Sequence, residues 1–163
     1  MLKLKAEPLM GRSGHDAGRQ LLMQMYQQET GRPMPQIAVL PKGKPYFPGD
    51  RLHFSISHTK HHVFCALSDR PVGIDAEECD RPVKLRLAKK ILSDHEYQRF
   101  LRHPDPHDAL LRLWVLKEAA AKLSGEGLHG YPNHTDFSPD DPRIQILQGC
   151  LVATIQQEDP YAF

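Results

Sequence analysis

The sequence predicts an α+β fold, with strand clusters at both ends of the chain and helices between them. Three observations carry this. Residues 52–77 hold three short apolar runs, LHFSIS, HVFCALS and PVGIDAE, separated by turn residues. Residues 83–124 switch to helical spacing with recognisable start and stop residues. Residues 143–155 return to two strand-like runs, RIQIL and CLVATI, around Gln148-Gly149.

Taken in order, the first fourteen residues (MLKLKAEPLMGRSG) give no element and lack the apolar stretch of a signal peptide. Residues 16–30 place Leu21, Leu22, Met25 and Tyr26 on one helical face, and Gly31-Arg32-Pro33 stops that helix. IAVL at 37–40 is a short strand, and residues 41–50 form a turn-rich loop with Lys42 and Lys44. Residues 52–68 read as a hairpin turning near His58–His61, and PVGIDAE follows as the third strand. VKLRLAKKIL at 83–92 is helical. Ser93-x-x-Glu96 opens another helix as a capping box. Asp105-Pro106 opens the longest helix, which ends before Gly125. Residues 130–143 are an irregular loop, and the last two strands form a closing hairpin.

The 163 residues allow one domain or two small lobes. The net charge of +1 hides an asymmetry. Residues 1–70 carry 10 Lys+Arg against 5 Asp+Glu, and residues 71–163 carry 11 against 15. A basic first half beside an acidic second half suits an anionic ligand on one side and a metal on the other. No apolar run approaches the ~20 residues of a membrane span. The near-neutral charge and the lack of a basic helix argue against nucleic acid. Cys65, Cys79 and Cys150 are scattered and odd in number, which suits a reducing cytoplasm and argues against a disulfide framework or a cysteine zinc site. The cluster HTKHH at 58–62 invites a zinc reading, but a hairpin turn has no fixed helical spacing, so His61 and His62 read as solvated turn residues.

Asp75 and Glu77 stand two apart on a strand, so both point to one face. Trp114, Glu118 and Lys122 are spaced i, i+4, i+8 and line one helical stripe, with Lys117 beside it. Trp114 belongs on a buried or half-buried face, which turns Glu118 inward, and an inward carboxylate needs a cation. If the helix packs on the strand, Glu118 meets Asp75 and Glu77. Three oxygen donors without cysteine suit Mg²⁺ or Mn²⁺, with phosphate oxygens as further ligands and Lys122 facing that phosphate.

GIDAE at 73–77 and WVLKEAAAK at 114–122 resemble the paired signature of the 4′-phosphopantetheinyl transferases, (V/I)G(I/V)DxE followed by (F/W)xxKE(A/S)xxK, at every specified position. GKP at 43–45, FSISH at 54–58 and GEGL at 125–128 resemble further elements of that family in the same order, and the likeness runs from about residue 12 to residue 137. Ser55 stands where the family pattern has Asn, and Glu126 where it often has Lys. The residues preceding GIDAE make the chain similar to the Sfp-type, in which two similar α/β lobes form a pseudo-two-fold pair within one chain. That resemblance implies a lobe over 1–70 and a lobe over 71–163 that act as one unit. The resemblance implies a monomer that moves the 4′-phosphopantetheine arm of coenzyme A to a serine of an apo acyl or peptidyl carrier protein and releases 3′,5′-ADP. The carriers of fatty acid, polyketide and nonribosomal peptide synthesis all fit. It further implies Asp75, Glu118 and Glu77 as Mg²⁺ ligands and Lys122 as the phosphate contact. Glu118, or Glu96 through a water, takes the serine proton. Lys44, Ser57 and His58, with Arg12 and His15, hold the nucleotide end of coenzyme A. A module that binds coenzyme A or a carrier protein without transfer is the alternative.

Overall fold

A computed structural model describes residues 1–126 and 136–158. Strand β1 (Leu2–Pro8) leads to helix α1 (Gly14–Thr30), the short strands β2 (Ala38–Val39) and β3 (Pro45–Tyr46), and the hairpin β4 (His53–His58) and β5 (His62–Ser68). Then come β6 (Val72–Glu78), a 3-10 turn (Leu85–Leu87), α2 (Ala88–Ile91), α3 (Asp94–Arg102), α4 (Pro106–Ser124), β7 (Ile144–Leu147) and β8 (Cys150–Gln156). The predicted α+β class holds. Residues 127–135 and 159–163, which include the end of GEGL and part of the predicted loop, lie outside the described residues.

Among the described residues three antiparallel sheets form: β1-β5-β4, the small pair β2-β3, and β6-β8-β7. Helix α1 covers the first sheet. Ser13 caps it by accepting from the Asp16 amide at 3.0 Å, and Gly31 ends it in the left-handed region at φ 69°. Leu21, Leu22, Met25 and Tyr26 are buried against Phe54, Val63, Cys65 and Leu67, and each such side chain contributes roughly 1.5–3 kcal/mol by leaving water. Helix α4 covers the second sheet in the same way, with Leu113, Leu116 and Ala120 sharing a core with Leu151, Ala153 and Ile155. The strands' two-residue period divides the remaining apolar side chains. Phe64 and Ala66 of β5 turn away from α1 and meet Val72, Ile74, Ala76 and Val152 between the sheets.

Strand β6 does not extend the β4–β5 hairpin. It pairs with β8, while two hydroxyls of β4 reach its other edge. Ser55 Oγ accepts from the Ile74 amide and Ser57 Oγ accepts from the Ala76 amide, each at 3.1 Å. Two serines therefore satisfy buried backbone donors where the two sheets abut.

Strand β1 was not expected, yet it pairs with β5 from Leu2 opposite Ser68 to Pro8 opposite His62. Its signal is the alternation Leu2-Lys3-Leu4-Lys5-Ala6. Leu4 and Ala6 turn toward the core between the sheets, and Lys3 and Lys5 reach Glu29 and Gln28 of α1. The run at 83–92 forms a 3-10 turn and one α-helical turn instead of a continuous helix.

Helix α4 lies unusually close to β6. A Cβ on Gly73 would stand 2.0 Å from the Ala119 carbonyl oxygen and 2.5 Å from the Leu123 amide nitrogen. Only glycine lets the two backbones approach this far. Gly73, Asp75 and Glu77 share the face turned to α4, so this contact sets the distance between the strand's carboxylates and those of the helix.

Candidate functional site

A cleft of about 320 Å³ opens between the lysine loop, β4 and α4, lined among others by Lys42, Lys44, Phe54, Glu118, Lys122 and Gly125. Asp75 of β6 reaches it through Lys122, which lines the cleft. Lys122 Nζ lies 2.9 Å from Asp75 Oδ1, and Ser57 Oγ donates to the same oxygen at 3.2 Å. Asp75 Oδ2 is buried and has no hydrogen-bond partner. Glu77 pairs with Arg81 one turn beyond the strand. Lys44 donates to the Leu123 carbonyl at the end of α4, and Lys42 pairs with Glu126, so the loop is held on the helix terminus. Burial lowers the Lys44 pKa from its usual value.

The carboxylates affect one another. Burial pushes the Asp75 carboxyl up, Lys122 opposes this, and Glu77 adds to the rise. Burial also pushes Glu118 up, Asp75 next, while Lys122 again opposes. A buried acid crowded by other acids and carrying an unpartnered oxygen fits a hard divalent cation, which one lysine replaces here in part. The sign of the pH effect follows. These carboxyls hold protons more tightly in the folded chain, so chelated protein loses stability as pH rises from the ordinary carboxylate range through their raised values. Glu118→Gln, uncharged at every pH, is expected to flatten that fall in a series of melting curves. An equally steep fall in the variant contradicts the assignment.

Lys122 pairs with Asp75; Glu118 and Lys44 line the cleft with Lys122; and Glu77 lies near enough to both acids to raise their pKa while it pairs with Arg81 on the neighbouring groove. Two expected residues have other places. Ser57 is buried, and its hydroxyl donates to Asp75 and accepts from the Ala76 amide, so in this structure it positions the acid. Glu96 is fully buried. Its Oε1 accepts from the Ser93 amide at 2.8 Å and lies 2.7 Å from Lys117 Nζ, and its Oε2 accepts from the Phe137 amide at 3.0 Å. Both oxygens are committed, which makes Glu96 the capping and ion-pairing residue that ties α3 to α4 rather than an acceptor for a substrate proton.

The importance of Lys117 was not legible from its position beside the Trp114 stripe; its signal is its own full burial opposite Glu96. Lys117→Met strands a buried carboxylate and is expected to cost about 3 kcal/mol. Denaturant unfolding checks this, and an unchanged midpoint contradicts it.

His58 is exposed, and its ring lies against the first turn of α1, where a Cβ on Gly14 would come within 2.3 Å of it. His15 is exposed on that same turn. Arg12 is held on its own chain, donating to the carbonyls of Leu9 and Pro8 at 3.0 and 2.9 Å and to Gln20 Oε1 at 2.7 Å. These three residues lie at the start of α1, outside the lining of the carboxylate cleft. Among the described residues no helix is long and apolar enough to cross a membrane.

Comparison with known proteins gives a consistent result. The model of the 4′-phosphopantetheinyl transferase superfamily matches residues 71–159. A 4′-phosphopantetheinyl transferase of Bacillus subtilis is 39% identical over 128 residues, covering 73% of this chain and 57% of the relative. The 4′-phosphopantetheinyl transferase psf-1 of Bacillus pumilus is 35% identical over 117 residues, covering 67% of this chain and 50% of the relative. A holo-[acyl-carrier-protein] synthase of Erwinia tasmaniensis is 35% identical over 65 residues, 36% of this chain and 52% of the relative. The chain thus spans about half the length of the curated relatives it matches.

Proposed function

The chain belongs to the 4′-phosphopantetheinyl transferase superfamily, and from that premise we propose that it transfers the 4′-phosphopantetheine group of coenzyme A to a serine of an apo acyl or peptidyl carrier protein, releasing 3′,5′-ADP. The observation that carries the proposal is the meeting of Asp75, Glu77, Glu118 and Lys122 beside the cleft bordered by Lys44. Asp75, Glu118 and Glu77 would hold Mg²⁺, or Mn²⁺ in its place, and such an ion supplies charge neutralisation at the pyrophosphate of coenzyme A.

The chain's own residues do the rest. Ser57 and the close contact at Gly73 fix Asp75 against α4. Lys122 turns its ammonium to the phosphate oxygens and stabilises the charge that grows as the serine oxygen bonds to phosphorus and the bond to 3′,5′-ADP breaks. Glu118, whose raised pKa brings it nearer neutral pH, accepts the serine proton. Lys44 borders the nucleotide end, with His58, His15 and Arg12 at the start of α1 reaching the 3′-phosphate. A helix-on-sheet pattern recurs within residues 1–70 and within the described part of residues 71–158, which supports a pseudo-two-fold pair of lobes; the chain would act as a monomer in the cytoplasm.

Intact-mass spectrometry of apo carrier proteins tests the proposal. Each is incubated with this protein, coenzyme A and Mg²⁺, beside a chelated control. A gain of one phosphopantetheine group, absent from the control, is expected. No gain on any carrier while coenzyme A still binds would replace transfer with a binding-module role.

A further inference from the structure

Away from the cleft, β5, β6 and β8 bring three metal-binding side chains together. An imidazole nitrogen of His62, a carboxylate oxygen of Glu78 and the Cys150 sulfur all lie within 4.8 Å of one another. The chain places them 16 and 72 residues apart, so sequence spacing gave no sign of the group. His62 is not the solvated turn residue its position suggested: its Nδ1 is buried and has no partner. Glu78 Oε1 is likewise buried and unpartnered. Cys150 is a buried free thiol, with its sulfur 3.5 Å from Glu78 Oε2.

A thiol donating to a carboxylate explains that last contact but leaves the other two atoms without partners. A tetrahedral Zn²⁺ accounts for the gathering of the three side chains and gives the His62 nitrogen a partner. Ligand bonds of ~2.3 Å to sulfur and ~2.1 Å to oxygen put a tetrahedral sulfur–oxygen edge at about 3.6 Å, close to the observed 3.5 Å. We infer that His62, Glu78 and Cys150 form a three-ligand Zn²⁺ site that joins β5, β6 and β8. One imidazole, one carboxylate and one thiolate favour zinc over a hard cation such as Mg²⁺. Cys150 gives up its thiol proton to solvent when the ion binds. The fourth position is left to water, which reaches Glu78 from a groove of about 820 Å³ lined by His58, Thr59, His61, Glu77 and Arg81. None of its three ligands borders the carboxylate cleft, and the groove that reaches Glu78 is shared with Glu77 and His58.

Cobalt substitution is the test. Metal-stripped protein under a non-thiol reductant is titrated with Co²⁺ and followed by absorption. One equivalent is expected to give a thiolate-to-cobalt charge-transfer band with tetrahedral visible bands, and Zn²⁺ is expected to bleach both. The signal is expected to vanish in Cys150→Ser and to need at least ~10-fold more Co²⁺ in His62→Ala. It is expected to persist in Cys79→Ser and Asp75→Asn. Zn²⁺ at 100 times its dissociation constant is expected to raise the melting temperature of the unmodified protein by about 5–10 °C. A wild-type chain that gives no thiolate band overturns the inference whether or not the variants fold. So does a band that survives in Cys150→Ser and disappears in Cys79→Ser.

Discussion

Asp75→Asn is expected to cut transfer to a carrier protein by about 10³-fold while leaving the protein folded. The size follows from what the side chain touches. Asp75 presents one oxygen to Lys122 and Ser57 and a second, buried oxygen with no partner. The amide keeps the shape and removes the charge on which the proposed metal depends. It also weakens the hold on Lys122 from an ion pair to a hydrogen bond with a neutral amide oxygen. Burial already works against ionised Asp75, so neutralising it relieves a cost and the variant should melt no lower than the parent. Single-turnover transfer and melting curves on the same preparation separate the two effects. Full activity in a well-folded Asp75→Asn would remove the carboxylate cluster from the mechanism.

Gly73→Ala carries the largest expected loss of stability, more than about 4 kcal/mol, or roughly 10 °C in melting temperature for a chain of this size. The added methyl would stand 2.0 Å from the Ala119 carbonyl oxygen and 2.5 Å from the Leu123 amide nitrogen. Both neighbours are helix backbone, which cannot rotate aside as a side chain does, so α4 must lift away from β6. Moving the helix carries Glu118 and Lys122 away from Asp75, so activity is expected to fall even below the melting transition. Differential scanning calorimetry reads the first effect. A variant that melts with the parent would show that the strand–helix approach is looser than described.

The sequence made the site more legible than the sheet arrangement. The two-residue spacing of Asp75 and Glu77 and the four-residue spacing of Glu118 and Lys122 are local and fix which way each side chain faces. The hairpin of β4 and β5, the helix starts at Ser93 and Asp105, and the stop at Gly125 were readable for the same reason. Long-range choices were not. Whether β6 would join the β4–β5 sheet or begin another depends on β8, more than seventy residues further on. That β1 is a strand depends on a free edge of β5. The roles of Ser57, Glu96 and Lys117 were hidden by tertiary burial, which ties up polar groups that local sequence leaves open. His62, Glu78 and Cys150 show the same limit: three elements had to fold before their proximity existed.

In the proposed reaction, Asp75, Glu118 and Glu77 hold the metal on which transfer depends. A crystal grown with coenzyme A and Mn²⁺ tests it most directly through the anomalous scattering of manganese. A single anomalous peak is expected within ligand distance of Asp75 Oδ2 and Glu118, with the coenzyme A pyrophosphate beside it and Lys122 turned from Asp75 to phosphate. Bound coenzyme A with no peak there, and with Lys122 still paired to Asp75, would contradict it.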